Sequence, residues 1–227
     1  MIINMQSILE RSEFQNEIAP RLKSFSIILI AGYTLGMFGL GYEPTRSLFL
    51  LLTPFYLLFA AILVLNTEFI SKNISYWLWL VPMLIGTFVI EAIGVRDGNI
   101  FGEYVYGNVL GYKLFEVPII IPINWVMVIW GAYTFSSLLT KDKFAKAFIT
   151  AACAVVFDFV MEPIAITLGF WTWANVSVPL ENYLMWFVIS LVGGFAAHYL
   201  KLKANTNIVL FNLVLQFLFF LCLLLLI

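Results

Sequence analysis

Charged residues are scarce in this sequence. Asp, Glu, Lys and Arg make up 11% of the 227 residues, whereas hydrophobic types make up 63%. A soluble domain carries about 25% charged residues, so the composition favours an integral membrane protein. The near-neutral formal net charge of -1, with no long basic tract, argues against a nucleic-acid partner.

Histidine and cysteine are scarce as well, with one His and two Cys in the chain. Cys153 and Cys222 lie in separate apolar runs, and no spacing typical of a disulfide framework or a metal site is present. A single histidine, His198, excludes the histidine-cluster di-iron sites of membrane hydroxylases and desaturases. The sequence also lacks a phosphate-binding loop, an Asp-rich diphosphate–magnesium motif and a dinucleotide fingerprint. We therefore expect neither a metal nor another cofactor.

Long apolar runs, by contrast, are abundant. A spanning helix needs about 20 mostly apolar residues, and seven stretches of the chain meet that rule. They are Phe25–Tyr42, Leu48–Leu65, Trp77–Val95, Pro118–Leu139, Ala145–Phe170, Leu180–Leu200 and Ile208–Ile227. The predicted fold class is all-α, a polytopic membrane helical bundle that forms a single integral membrane domain over residues 1–227.

The distribution of Lys and Arg predicts the orientation of the bundle. The side of the N-terminus holds Arg11, Arg21, Lys23, Lys72, Lys141, Lys143, Lys146, Lys201 and Lys203, and the opposite side holds Arg46, Arg96 and Lys113. Because basic residues favour the cytoplasmic side, we expect residues 1–23 to be a cytoplasmic segment. That segment shows no cleavage-site pattern, which predicts no cleaved signal peptide. The expected location is the cell's cytoplasmic (inner) membrane.

Two segments of the chain, residues 91–125 and 158–186, resemble each other. A gapless alignment pairs Glu91 with Asp158, Gly102 with Gly169, and Tyr104 and Tyr106 with Trp171 and Trp173. Both segments continue to a Val-Pro pair and then to an asparagine, Asn124 in the first and Asn182 in the second. This pattern predicts an internal repeat. Helices three and four and helices five and six would be its parallel copies, with residues 91–186 as the catalytic core.

Asp158 and Glu162 are four residues apart on one predicted helix, so they project from the same face. Acids inside a membrane are costly and usually face the interior of a bundle. Two like charges in an apolar setting repel each other, so we expect one of the pair to hold a proton near neutral pH. A stored proton is what a general acid needs. The alternative is a pair that is hydrogen-bonded purely for helix association.

Three more polar residues belong to the candidate set. Glu91 stands alone in its helix, and its alignment with Asp158 favours a functional role over simple contact with water or Arg96 at the outer surface. Asn124 and Asn182 follow helix-starting prolines, where they could orient the acids or a water molecule. They could equally satisfy backbone groups at the helix ends.

Aromatic residues make up 17% of the chain. Tyr104, Tyr106, Trp171 and Trp173 would cluster at the outer interface, where aromatic belts are common. In both segments the aromatic pair follows an acid, Glu91 or Asp158, at the same spacing, and an aromatic belt does not require this regularity. The faces of aromatic rings stabilise cations. A protonated acid beside such rings suits carbocation chemistry on an apolar alkene.

Glycine is concentrated at two other places. The connection from Arg96 to Val117 is glycine-rich and long for a compact bundle, which favours a functional loop. Gly32 and Gly36 in the first predicted helix form a small-xxx-small pair suited to close helix contact. The same glycines are also compatible with a membrane helix that has no such contact.

At these residues the sequence resembles the membrane carotenoid biosynthesis family of 1′-hydratases, which includes lycopene and γ-carotene hydratases and the bisanhydrobacterioruberin hydratases. The matching pieces are Glu91 to Gly94, Phe101 to Tyr106, Val117-Pro118, Asn124-Trp125, Asp158 to Pro163, Gly169 to Trp173 and Val178 to Asn182. The last piece is also similar to the Pro-x-Glu-Glu motif of small membrane lycopene cyclases. Asn182 replaces the second acid of that motif, which counts against cyclase activity.

The resemblance implies cofactor-independent hydration of a terminal 1,2 double bond of an acyclic carotenoid, giving a tertiary 1-hydroxy product. The implied catalytic residues are Glu91, Asp158, Glu162, Asn124, Asn182 and Glu181, and the implied substrate-binding residues are Tyr104, Tyr106, Trp171, Trp173 and Trp125. The implied partners are a lipophilic carotenoid and membrane lipid, with other carotenoid enzymes as further candidates.

Three alternatives stay open from the sequence alone. A lycopene-type cyclase begins with the same protonation and differs only in how the cation is captured. A small transporter or proton-relay protein also uses intramembrane acids and internal repeats. A non-catalytic scaffold for other carotenoid enzymes would tolerate neutralisation of the acids.

Overall fold

The chain is described by a computed structural model that covers residues 5–69, 74–175, 177–203 and 207–227. Side chains are described in the same ranges, apart from residues 5–19, 68 and 69. Lys72, which contributes to the predicted orientation, lies outside the described residues, as do residues 1–4 of the predicted cytoplasmic segment. Both the orientation and that segment stay predictions.

Seven helices in the described parts of the chain are long and apolar enough to cross a membrane, which confirms the predicted number. They are α1 Met5–Gly41, α2 Glu43–Phe69, α3 Ile74–Asp97, α4 Ile120–Leu139, α5 Lys143–Thr167, α6 Leu180–Tyr199 and α7 Ile208–Leu226. The fold is therefore an all-α bundle of a multi-pass membrane protein.

Helix α1 begins much earlier than the predicted start at Phe25. Its membrane-spanning part is Pro20–Gly41, and the preceding residues from Met5 continue the same helix. Hydropathy marks the part of a helix that fits the hydrocarbon layer, so it gives no signal for a polar extension. The helix therefore runs beyond the segment that hydropathy identified.

Helix α4 lies at the centre of the bundle. Of its spanning residues 78% are buried, against 17% in α2, and it packs against α2, α3, α5, α6 and α7. Its lower mean hydropathy, 1.2 against 2.6 for α2 and 2.8 for α7, fits this position, because polar side chains such as Thr134 and Ser136 pack better against other helices than against lipid. The most extensive helix contact is that of α5 with α6, and α1 packs on α2 and α7.

Four short strands, which the sequence did not predict, lie between the helices. They are β1 Tyr104–Tyr106, β2 Lys113–Leu114, β3 Val117–Pro118 and β4 Trp171–Trp173. Strands β1 and β4 form an antiparallel ribbon in which Tyr104 faces Trp173 and Tyr106 faces Trp171. Strands β2 and β3 form a second antiparallel pair. The signal for the first ribbon was the aromatic–x–aromatic alternation, which places both rings of each strand on one buried face.

Glycines in the left-handed region precede both strands of the ribbon. Gly102 has φ 98° and Gly169 has φ 70°. At Gly169 the amide of Phe170 donates to Ala165 and the amide of Gly169 donates to Ile166, which closes α5 with a Schellman motif. Because a side chain is strained at such φ values, glycine allows the chain to turn directly from the helix into the strand. Helix α5 itself continues through Pro163 to Thr167.

Candidate active site

A cavity of about 60 Å³ lies beneath the aromatic ribbon. Side chains from α3, α4, α5, α6 and α7 complete its wall, and its volume accommodates several water-sized groups. Three of the lining residues are acids, namely Glu91, Asp158 and Glu162, with exposures of 5%, 0% and 2%. The structure therefore gathers the three intramembrane acids around one space.

Glu91 accepts three hydrogen bonds from aromatic side chains. Its Oε2 accepts from the Tyr104 hydroxyl at 2.5 Å and from the Tyr106 hydroxyl at 2.7 Å. Its Oε1 accepts from Trp125 Nε1 at 2.7 Å. Both oxygens are therefore occupied, and a buried carboxyl group without such donors would be strongly destabilising.

The two tyrosines of β1 remain hydrogen-bond donors. Burial, and then the charge of the neighbouring Glu91, raises the pKa of Tyr104 and also that of Tyr106. Both phenols therefore keep their protons at any physiological pH. Their rings meet edge to face with centroids 5.3 Å apart, and Tyr104 lies 5.0 Å from the ring of Trp173 across the ribbon.

Glu162 is held in a similar way by the two tryptophans of β4. Its Oε2 accepts from Trp171 Nε1 and from Trp173 Nε1, each at 3.0 Å. Its Oε1 accepts from Asn182 Nδ2 at 3.4 Å. An indole N–H can only donate, so Oε2 of Glu162 serves as an acceptor.

Asp158 lies one helical turn from Glu162 and has a different environment. Its Oδ2 accepts from Asn182 Nδ2 at 2.7 Å, so a single amide bridges the two acids. Its Oδ1 is buried and has no hydrogen-bond partner among the described residues. Of the six carboxyl oxygens in the cavity, this is the one without a partner. Because buried polar atoms are nearly always paired, this oxygen is the one that can bind a water molecule or a ligand in the cavity.

The acids that accept hydrogen bonds from the aromatic ribbon are not the two acids that the aligned segments pair with each other. The alignment pairs Glu91 with Asp158, yet the aromatic donors of β1 bind Glu91 and those of β4 bind Glu162. Glu162 is one turn further along its helix, so it reaches the ribbon where Asp158 does not. The internal repeat itself stays a prediction.

Asn124 and Asn182 both line the cavity but do different things. Asn182 bridges the two acids of α5, as described above. Asn124 accepts a hydrogen bond of 2.8 Å from Gln216 Nε2. Gln216 lies on α7, lines the same cavity and was missed by the sequence analysis. The available signal was the presence of two amide side chains, Asn212 and Gln216, in a spanning helix whose other residues are almost all apolar.

Trp125 anchors the inner wall of the cavity. Besides donating to Glu91, its indole stacks on that of Trp186, with ring centroids 3.7 Å apart and planes at 20°. Trp186 was not among the predicted binding residues. The stack fixes the orientation of Trp125, and this aims its N–H at the acid.

One predicted catalytic residue does not reach the cavity. Glu181 is exposed in the first turn of α6, next to the buried Asn182. Successive helix positions differ by about 100°, so only one of these neighbours can face inward. In the described parts of the chain no cluster of His, Cys, Asp and Glu has the arrangement of a metal site.

The fold and the cavity define a multi-pass membrane protein with a buried, aromatic-lined acid centre. The sequence profile of the family described as "Carotenoid biosynthesis protein" matches residues 52–227. The chain belongs to this carotenoid biosynthesis family, as its motifs predicted.

A relative that is named for its activity is similar to part of this chain. It is the bisanhydrobacterioruberin hydratase of Haloarcula japonica, which is 32% identical over 117 residues. The aligned part is 48% of this chain and 40% of that relative, so the chain spans less than half the length of the relative it matches. No solved structure matches the chain.

Proposed function

We propose that this protein hydrates the terminal 1,2 double bond of an acyclic carotenoid end group and forms a tertiary 1-hydroxy carotenoid. The observation that carries the proposal is the partnerless Oδ1 of Asp158 in a cavity walled by aromatic rings. Membership of the carotenoid biosynthesis family and similarity to a hydratase support the substrate class and the reaction type.

The proton donor is Asp158. In its acid form, the Oδ1 oxygen carries a proton that no other group in the described chain receives. Every oxygen of Glu91 and Glu162 already accepts a hydrogen bond. Hydrogen bonds to a carboxylate stabilise its charged form. Asp158 is thus the acid whose proton is available to a substrate.

Protonation begins the reaction. The π electrons of the double bond take the proton of Asp158 at C-2, and the positive charge develops at the tertiary C-1. Four aromatic side chains line the cavity, and their electron-rich rings would stabilise this cation, namely Tyr104, Tyr106, Trp171 and Trp173. Preorganised groups of this kind stabilise charge as it forms, without reorganising.

Water then completes the product. Its oxygen forms a bond to C-1, and the added water loses a proton to the Asp158–Glu162 pair, which restores the acid. The Asn124–Gln216 pair is placed to hold this water, because both residues line the cavity and are hydrogen-bonded to each other. Overall one alkene and one water give one alcohol, and no electrons are transferred.

The location and topology are part of the proposal. We place the protein in the cytoplasmic membrane with its N-terminus in the cytoplasm, which follows from the excess of Lys and Arg on that side. Residues 91–186 form its catalytic core together with Gln216 of α7. The carotenoid enters from the surrounding lipid.

The test is expression of the chain in a bacterial host that accumulates lycopene, with mass spectrometry of the pigments. The expected product gains the mass of one water and keeps its chromophore. Asp158→Asn is expected to give none, whereas Asp97→Asn, a matched change at an exposed ion pair with Arg96, is expected to act like the wild type. A product of unchanged mass and shifted retention would show cyclisation instead. Unaltered lycopene and unaltered γ-carotene, with the protein present, would contradict the proposal.

A further inference from the structure

A second cavity, of about 220 Å³, lies outside the acid cavity between α1, α2 and α7. We call it the apolar groove. Tyr33, Leu40 and Phe220 are buried in its floor, whereas Leu35 and Leu52 are 63% and 45% exposed at its rim. The groove is therefore open on the side that faces the bilayer.

The apolar groove adjoins the acid cavity. Leu57, Phe170, Gln216 and Phe220 line both spaces. These four residues form a neck at which the groove ends and the acid cavity begins. An elongated molecule with one end in the acid cavity could therefore continue through the neck and along the groove to the lipid.

The polar side chains of the groove already use their hydroxyl protons within the protein. Tyr33 donates to Asn212 Oδ1 at 3.1 Å, Thr53 donates to the carbonyl of Phe49 at 2.8 Å, and Tyr56 donates to the carbonyl of Leu29 at 3.1 Å. None of these hydroxyl groups offers a free donor to a ligand. The wall is suited to a hydrocarbon, because such a ligand leaves no polar group unpaired.

Two glycines of α1 shape the groove. At Gly32 a Cβ would lie 2.1 Å from the Tyr56 ring, so the ring of Tyr56 packs directly on this glycine. At Gly36 a Cβ would lie 3.4 Å from the Phe219 ring, which is an ordinary contact, so a small side chain fits but a larger one takes up groove space. Gly32 therefore makes the close helix contact suggested for this pair, with Tyr56 of α2, whereas Gly36 leaves room beside Phe219 of α7.

We propose that the apolar groove binds the isoprenoid chain of the substrate while the reactive end group passes through the neck to Asp158. This rests on the proposed function. Lipid tails are as apolar as the groove, so transfer from the bilayer gives little free energy by itself. The contribution of the groove is to hold the chain in the direction that aligns the end group with the acid.

The main experiment compares Gly36→Leu with Gly86→Leu. Gly86 lies in spanning helix α3 with open space around its Cβ position, so it is a matched control. Turnover of a long acyclic carotenoid by Gly36→Leu is expected to fall about tenfold or more, on the order of discrimination that an apolar pocket achieves. Turnover of a short terpene alkene with the same isopropylidene end is expected to be unchanged. Gly86→Leu should match the wild type with both substrates.

A binding measurement separates this proposal from the proposed function. Lycopene bound to the purified Asp158→Asn protein in lipid nanodiscs is quantified by absorbance, with and without Gly36→Leu or Gly86→Leu. Gly36→Leu is expected to lower the bound lycopene, and Gly86→Leu is not. This readout needs no turnover, so it supports the groove even if the wild type hydrates neither substrate.

Two results would overturn the groove proposal. One is that Gly36→Leu binds and hydrates the long carotenoid as the wild type does, which is expected if lipid alone fills the groove. The other is equal loss with the long and the short substrate, since that indicates damage to the acid cavity. If Gly36→Leu does not fold, Leu35→Trp provides the same test, because Leu35 is exposed at the rim and its enlargement leaves the packed interior unchanged.

Discussion

On each of the two sides of the acid cavity, a pair of aromatic side chains from one strand donates hydrogen bonds to a buried acid, but the hydrogen bonding of the acids differs between the sides. On one side Glu91 accepts from two tyrosine hydroxyls and one indole, and both of its oxygens are occupied. On the other side two indoles donate to Glu162, and a second acid, Asp158, has one oxygen without a partner in the part of the chain that the structure describes. In the proposed mechanism Glu91 is therefore a structural centre and Asp158 is the reactive acid. The observed difference between them is the number of hydrogen-bond donors that reach each carboxyl group.

The strongest test of this comparison replaces one acid on each side by its amide. Asp158→Asn is expected to lower the hydration rate by about 10²–10⁴-fold, the usual contribution of a general acid, with little change in stability. Glu91→Gln is expected to retain more activity and to lose about 1–3 kcal/mol of stability, because one aromatic donor loses its acceptor. Rates in isolated membranes and melting temperatures in detergent measure both effects. Equal loss of rate in the two variants would refute the division of roles.

A smaller effect is expected from removal of one donor on the Glu91 side. Tyr106→Phe keeps the ring but deletes the 2.7 Å hydrogen bond to Glu91. We expect a loss of about 1–3 kcal/mol in the free energy of unfolding, because the carboxyl group is left less satisfied in a buried site. Thermal unfolding in detergent checks this. Tyr112→Phe is the matched control, since Tyr112 is 73% exposed and should be unaffected. Equal melting temperatures for the two variants would mean that Glu91 does not depend on this donor.

The next prediction concerns the hydrogen-bonded amide pair of Asn124 on α4 and Gln216 on α7. Gln216→Leu removes the hydrogen bond to Asn124 and one polar wall of the cavity. We expect hydration to fall by about tenfold, which corresponds to about 1.4 kcal/mol, the order of one lost hydrogen bond. The ratio of hydrated to unchanged carotenoid measures the effect. Leu215→Met on the same helix serves as a control for the local packing. No change in that ratio would exclude Gln216 from water binding.

The smallest effect is expected at Glu181. Glu181→Gln changes an exposed side chain beside Asn182, so its effect on stability should stay within about 0.5 kcal/mol and its hydration rate should match that of the wild type. Glu162→Gln is assayed in parallel for stability and hydration rate as a contrasting variant, because it alters the group that accepts hydrogen bonds from both β4 indoles. A strong loss in Glu181→Gln would restore the role that the sequence analysis gave it.

The spacing of the aligned segments predicted which residues meet but not how they pair. The tyrosines of β1 and the tryptophans of β4 do lie beside the acids, because short separations along the chain leave few places for them. The alignment nevertheless matched Glu91 with Asp158. In the structure the acids that accept hydrogen bonds from these aromatic side chains are Glu91 and Glu162. Helix α5 carries two acids on one face, and spacing cannot tell which of them reaches the ribbon. Gln216 was missed because α7 lies far along the chain from the other cavity residues.

The sequence by itself determined that this chain has seven helices able to span a membrane, that the acids within those helices, Glu91, Asp158 and Glu162, face the interior and that its family is one of carotenoid biosynthesis. Hydropathy and the cost of buried charge act locally, so they can be read from composition and order. Only the tertiary structure decided that the aromatic pairs form one ribbon, that Asp158 has an oxygen with no partner among the described residues and that an apolar groove adjoins the same cavity. These features depend on distances between helices that are remote in sequence, and packing alone sets those distances.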